Sequence, residues 1–377
     1  MKNCSGVIFS PEQDQNFGEL VSDRPNYMLP FGCRYRIIDF ALSNMANYNL
    51  SDVLLYAGSN IRSTLDHVGD GSNWEMNRRD RGLVINPVSY SRGFNTVSEI
   101  ESYFQSISYY EHSEQEHIYI ENPMVIAKIN LKDAYDTFVQ NDDDVMLLYK
   151  GMVDEMGYFN GMRKLILDKD DGHFINVGYY LGTDPNVDLL IGRMFIKREV
   201  FIQLVKHSVE NGTAVTLLQA ILNHKNRLKI GTYQVRCEIE PIFDVDSYYR
   251  ANMHLLNPEI YDEIFYQGGM VYTKSKDEPS TIYRNSSKPV HSLVANGCMI
   301  AGQVENSIIF RGVQIGKNAI VRNCIINQET IIKDNAVCVN VITDKYAVIE
   351  EGVTIAGAFT HPFLVGKDEV IRNRDSF

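Results

Sequence analysis

With 377 residues, 44% of them hydrophobic and 22% charged, the chain is long enough for two globular units with a buried core. A formal net charge of −12 argues against a general nucleic-acid binder, which needs a basic surface, and leaves room for a local basic pocket. The first apolar run, Gly6–Phe9, is short, no run of about 18 apolar residues follows it, and the cysteines at 4, 33, 237, 298, 324 and 338 form no CxxC pair. We expect a cytoplasmic protein with free thiols, no membrane segment and no zinc or dithiol motif.

Up to about residue 253, short apolar runs alternate with amphipathic stretches. Gly6–Phe9, Val53–Tyr56, His117–Ile120, Val145–Tyr149, Leu189–Ile196 and Leu228–Val235 predict strands. In VSEIESYFQSISYYEH, the residues Ile100, Tyr103, Phe104, Ile107 and Tyr110 recur at helical spacing and predict one apolar helix face. RIIDFALSNMANY and EVFIQLVKHSVEN read the same way. This alternation predicts an α/β unit over 1–253, Rossmann-like, with a mostly parallel sheet, helices on both faces and a ligand site at the carboxyl ends of the strands.

Residues 254–290 carry glycine, serine, proline and charge with little periodicity and predict a linker. From 291 to 377 apolar residues recur every six, from Val294 to Ile300, Ile315 to Val321, Ile326 to Ile332 to Cys338, and Ile349 to Ile355. A period of six predicts a left-handed parallel β-helix of hexapeptide coils. A β-sandwich would alternate strictly between hairpin turns, and this segment does not.

Hexapeptide coils accompany two kinds of enzyme. Acyltransferases use a histidine near the coils as base, and here His291 and His361 stand only at the two edges of the repeat. Nucleotidyltransferases place the chemistry in a preceding α/β domain, which suits this order better. The segments LPFGCRYRIIDFALSNMANYNLSDVLLYAG, IFDVDSYYRANMHLLNP and SLVANGCMIAGQVENSIIFRGVQIG resemble, in order and spacing, those of the glucose-1-phosphate adenylyltransferase (ADP-glucose pyrophosphorylase) family. That resemblance implies a GT-A-like fold and synthesis of ADP-glucose and pyrophosphate from ATP and glucose 1-phosphate, with Mg²⁺.

The family's site residues carry over poorly. Its glycine-rich first loop corresponds to IFSPEQDQNFGEL, with Glu12 and Asp14 in the loop and Glu19 where an arginine would hold pyrophosphate. A phosphate-binding lysine corresponds to Asn26, and a Mg²⁺-binding aspartate to Asn122, a poor ligand for a hard cation. The second metal aspartate corresponds to Asp244, which serves equally well as the cap of the following helix. The sugar-phosphate lysine has no counterpart in INVGYYLGTDPNVD, and WYRGTADA becomes a stretch retaining Arg92 and Gly93 but with Phe94. Asn26, Asn122 and Asp244 therefore mark a vestigial pocket.

Arg24, Arg34 and Arg36 persist. They form either an anion site, as guanidinium suits phosphate and the family's effectors are sugar phosphates, or ordinary surface ion pairs. The pattern resembles the GlgD-type branch of the family. That resemblance implies a regulatory, non-catalytic or weakly catalytic subunit that binds Mg²⁺ poorly and joins a GlgC-type catalytic subunit in a heterotetramer for glycogen synthesis. Two alternatives stand beside it. One is an active transferase in which Glu121 or Asp246 replaces the missing ligand; the other is a sugar-phosphate sensor or scaffold.

Overall fold

The computed structural model describes residues 1, 3–10, 14–58, 60–78, 81–88, 98–284 and 287–373. Nine strands form one sheet: β1 (Cys4–Phe9), β2 (Val53–Ala57), β3 (Leu83–Pro87), β4 (His117–Glu121), β5 (Val145–Val153), β6 (Arg163–Leu167), β7 (Phe174–Tyr179), β8 (Asn186–Lys197) and β9 (Ile230–Gln234). Their order is β7-β6-β8-β4-β1-β2-β3, with β5 against β8 and β9 against β5. The core β4-β1-β2-β3 is parallel. β8 then runs antiparallel to β4, β5 and β6. All six residues of β1 are buried, which is why its sequence reads as an apolar run and not as an alternation.

Helices cover both faces of the sheet. On one, α1 (Ile37–Asn47) packs in a core that includes Ile8, Leu55 and Tyr119. On the other, α2 (Glu99–Gln105), α3 (Ile107–Glu111) and α4 (Arg198–Asn211) enclose Val7, Phe9, Leu54 and Tyr56. The single helix expected over VSEIESYFQSISYYEH is thus two, broken at Ser106. The Ser106 hydroxyl donates to the Ser102 carbonyl, a back-bond that bends helices. It also accepts from the Tyr56 hydroxyl and the Asn86 amide, so the break is anchored to the sheet.

Residues 254–290, expected as a linker, hold more structure than that. Helix α6 (Pro258–Tyr266) follows α5 (Val245–His254), with Asn257 as its cap and Pro258 at its first position. Its Phe265 ring joins those of Tyr35 and Phe40. Ile282–Tyr283 and Lys288–Val290 already belong to the β-helix, as the first strands of two of its sheets.

The β-helix has three parallel sheets, of six, five and five short strands. Ile315, Ile332 and Ile349 lie in register, one above the other, 17 residues apart. These coils are therefore two steps of six and one of five, which accounts for the slip between Val321 and Ile326; the coil from Ile300 to Ile315 is shorter, at 15 residues, and that from Ile349 to Ile371 longer, at 22. The five-residue step admits a polar interior residue: Thr343 is fully buried, its hydroxyl accepting from the Asn327 backbone N–H and bonded to the Thr330 hydroxyl. Corners with positive φ hold Asn318, Asn323, Asn335 and Asn340, whose amides bond up the stack, Asn318 to Asn335 at 3.2 Å and Asn323 to Asn340 at 3.1 Å. Ile308, Ile325 and Ile342 share a core with Phe31, Tyr248 and Tyr249, so the coils and the α/β unit pack as one body.

Candidate functional site

Where a phosphate loop would follow β1, the chain instead winds into a 3₁₀ turn, Asp14–Val21. Phe17 is buried, Asn16 donates to the Phe243 carbonyl, and Gly18 and Glu19 pack against Leu364 and Gly366 of the last coil. Asp23 pairs with Lys367 of the same coil at 2.6 Å. Glu19 and Asp23 thus face the β-helix, Asp23 on its lysine. Pro11, Glu12, Arg92, Gly93 and Phe94 lie outside the described residues.

At the carboxyl ends of the strands a cavity of about 470 Å³ remains. Phe9, Phe17, Ile120, Met124, Leu190, Ile191, Met194 and Phe243 form much of its wall, with Asn26, Asn122 and Asn160 among the polar groups. Its charged lining residues are Glu99, Arg163 and Arg193, and the last is taken up by a buried carboxylate behind the wall. Arg193 and Glu121, 1% and 0% exposed, meet at 2.6 Å, and Arg193 also donates to the Val125 carbonyl. Burial pushes the Glu121 carboxyl up, to about 7, against the pull of Arg193. Glu99 accepts from the Tyr103 hydroxyl and the Leu217 amide and faces Arg163. Among the described residues that line the cavity there is no lysine.

The residues expected at a metal centre do not fit Mg²⁺. The Asn122 amide oxygen accepts from the Met124 N–H at 3.0 Å. Asp244 is not in the cavity wall; it caps α5, accepting from the Ser247 N–H at 2.7 Å, with the Ser247 hydroxyl returning to it. Glu121 is held by Arg193, and Asp246 stands 3.8 Å from His361 near the last coil. Among the described residues no group of three His, Cys, Asp or Glu side chains could hold a metal. Asn26 does line the cavity, where its carbonyl oxygen accepts from the Ser10 hydroxyl and the Tyr27 N–H.

Comparison with known proteins agrees with this architecture. Residues 280–359 match the GlmU-like C-terminal hexapeptide family. The chain is 32% identical over 319 residues to the glycogen biosynthesis protein GlgD of Geobacillus stearothermophilus, covering 84% of this chain and 82% of that protein. It is 29% identical to GlgD of Bacillus subtilis, over 83% and 80%. With the glucose-1-phosphate adenylyltransferase of Clostridium perfringens it shares 23% over 87% and 84%. The chain belongs to the GlgD branch of the glucose-1-phosphate adenylyltransferase family.

This GlgD-family chain has a second concave site, between the α/β unit and the coils. Arg34, Arg36, His67, Lys274, Lys276, Arg311 and Lys345 line a crevice of about 60 Å³, and no carboxylate is among its described lining residues. Arg36 donates to the Met28 carbonyl at 2.6 Å. Burial, then the charge of Arg24, pulls its guanidinium down to about 10. Burial, then Arg36 and Arg24, pulls Lys345 down to about 7. Arg34 is exposed, its guanidinium over the Tyr35 ring, and its carbonyl accepts from Arg311.

Of the three arginines expected to form an anion site, the structure brings Arg34 and Arg36 together. Arg24 does not line the crevice; it is buried and paired with Asp344 at 2.6 Å. Lys274, Lys276, Arg311 and Lys345 carried no signal in the sequence, because they lie far along the chain from Arg36 and, apart from Lys274 and Lys276, far from one another. Arg193 was equally silent and Glu121 read only as a possible metal ligand: the strand register of β8 against β4 is what sets the two opposite each other.

Proposed function

We propose that this chain is a regulatory subunit, catalytically silent or weak, that supports a GlgC-type catalytic subunit in a cytoplasmic heterotetramer making ADP-glucose for glycogen. One observation carries the reading: in the cavity at the strand ends Arg193 is taken up by Glu121, Asn122 is bonded to Met124, and no lysine is among the described lining residues. Nucleotidyl transfer needs fixed positive charge, and usually a metal, on the phosphates. The names of the relatives, GlgD and glucose-1-phosphate adenylyltransferase, supply the pathway and the kind of partner. The crevice around Arg34, Arg36 and Lys345 is the proposed seat of a sugar-phosphate effector, since its clustered cations outnumber the carboxylates that pair with them, Asp39 on His67 and Glu278 on Arg311, and such a cluster suits a phosphate.

The test is ADP-glucose formation by the purified chain, by a GlgC-type partner and by the mixture. Little turnover by the chain, with a mixture faster than the partner, supports the reading. Strong turnover by the chain alone overturns it. A sensor without a catalytic partner is the second reading, favoured by the crevice alone; co-purification with a GlgC-type chain argues against it.

A further inference from the structure

The sheet has a second concave end. Asn47, Asn49 and Ser51 precede β2, and Trp74, Glu75 and Arg78 precede β3. With Tyr272 they line a pocket of about 240 Å³ at the amino ends of these strands, opposite the cavity at the carboxyl ends. That is several times the share of one water molecule, about 30 Å³. It falls below the roughly 300 Å³ at which pockets for drug-sized ligands begin. Such a volume suits a ligand the size of one sugar ring.

Hydrogen bonds fix its walls. The Asn49 and Leu50 N–H groups donate to the Ala46 and Met45 carbonyls, each at 3.0 Å. The Met76 N–H donates to the Gly71 carbonyl at 3.1 Å, and the Leu83 N–H to the Met76 carbonyl at 2.9 Å. The Tyr272 N–H donates to the Ser43 hydroxyl at 2.8 Å, and the Asn47 amide to the Met270 carbonyl at 2.9 Å. Glu75 holds a φ of 58°, left-handed backbone that a residue other than glycine keeps only where its surroundings impose it. Strain of that kind gathers at binding sites.

One buried group in the wall lacks a partner. Trp74 is 1% exposed, with the His67 ring edge-on at 6.0 Å, and its Nε1–H meets no acceptor among the described residues. A buried indole N–H ordinarily finds one. It is a neutral donor, and its natural complement is a neutral oxygen. Nearer solvent, the side chains of Asn49, Ser51, Glu75 and Arg78 make no hydrogen bond or ion pair with a described residue. Amide, hydroxyl, carboxylate and guanidinium both donate and accept, and the two charges are opposite in sign. This set matches a molecule whose hydroxyls donate and accept by turns. An anion or a cation would meet one like charge here, and for a zwitterion the exposed charges count for little. Leu50, Met76 and the half-exposed Tyr272 ring add apolar surface for the C–H face of a sugar.

We propose that this pocket binds an uncharged hexose unit, with a sugar oxygen accepting from the Trp74 Nε1–H. The unit is either a free sugar or the terminal residue of a glucan. The proposal does not depend on the readings of the cavity and the crevice, and it gives the chain a site for neutral carbohydrate beside them.

Glucose and maltotriose are the probes, with binding measured by calorimetry on the full chain. Trp74 is the one tryptophan of the chain, so tryptophan fluorescence reports on this pocket alone. At least one of the two sugars is expected to bind saturably and to change the emission with the same midpoint. Binding of maltotriose marks a glucan end as the ligand, and binding of glucose with maltotriose excluded marks a free sugar; both fit the proposal. Binding of neither overturns it, as does binding that leaves the emission unchanged.

Trp74→Phe keeps an aromatic ring and removes the donor. It is expected to unfold cooperatively in urea, as the parent does, and to bind the sugar several-fold more weakly. Should that variant fail to fold, Ser51→Ala replaces it, with the same several-fold loss expected. Affinity equal to the parent's in Trp74→Phe or, where it replaces that variant, in Ser51→Ala overturns the proposal and leaves the readings of the cavity and the crevice untouched.

Discussion

Arg24 and Asp344, 320 residues apart in the chain, meet at 2.6 Å where the α/β unit packs on the coils, and neither reaches solvent, at 4% and 0% exposure. A buried ion pair adds little over a well-packed apolar pair, but removing one partner strands the other charge. Arg24→Ala is therefore expected to cost about 3–5 kcal/mol, and Arg24→Met combined with Asp344→Leu to recover most of it. Urea unfolding of the three proteins measures this. A loss below about 1 kcal/mol in Arg24→Ala, the range of exposed pairs, would contradict a role in joining the two units.

Restoring a single metal ligand should not restore chemistry. Asn122→Asp places a carboxylate beside the cavity, yet Asp244 caps α5 and Glu121 is paired with Arg193. A lone carboxylate makes a weak Mg²⁺ site, and no lysine lines the described cavity to hold phosphates. ADP-glucose formation by the Asn122→Asp chain alone is expected to stay at background with Mg²⁺ present. Robust turnover by that variant would sink the account of a site dismantled at several points.

Periodicity made the fold legible. All six predicted strands are present, and the six-residue recurrence marks buried positions such as Ile315, Ile332 and Ile355. What it missed depends on distant partners. The acids after β1 read as a damaged phosphate loop; that Glu19, and Asp23 beyond it, pack on the last coil depends on Gly366 and Lys367, the latter 344 residues from Asp23. Arg24 read as an anion ligand, because nothing local announces Asp344. Residues 258–266 looked irregular beside the glycines, serines and prolines downstream, although NPE is a cap followed by a first-turn proline and acid. Asp244 was undecided between metal and cap, and Ser247 three residues on is the signal that favours the cap.

Anion binding in the crevice should weaken as pH rises through about 7. Lys345 titrates there because burial, and then Arg36, Arg24 and Lys276, oppose its charge, with Asp344 alone acting the other way. Below that pH the protonated amine attracts an anion; above it the neutral amine does not. Sulfate, which does not itself titrate in this range, is expected to bind several-fold more weakly at about pH 8 than at about pH 6, and Lys345→Gln to flatten the profile. The stability effect has the opposite sense. Between about 7 and the ordinary 10.5 the unfolded chain holds a proton that folded Lys345 has lost, so its contribution rises with pH across that window. A sulfate affinity unchanged from pH 6 to pH 8 would exclude Lys345 as a ligand.

Asp244 separates a structural from a metal-binding role. Its carboxylate accepts from the Ser247 N–H at 2.7 Å and from the Ser247 hydroxyl at 2.6 Å at the start of α5, the helix whose Tyr249 donates to the Asn323 carbonyl of the coils. Loss of a cap costs about 0.5–2 kcal/mol, and asparagine caps as well as aspartate. Asp244→Ala is therefore expected to lower stability by about 1–2 kcal/mol, while Asp244→Asn leaves it nearly unchanged. Neither should alter the Mg²⁺ dependence of ADP-glucose formation by a mixture with a GlgC-type partner. A metal ligand would respond the other way round: Asp244→Asn, stable and folded, would raise the Mg²⁺ concentration needed for half-maximal rate, and that shift would return Asp244 to the chemistry.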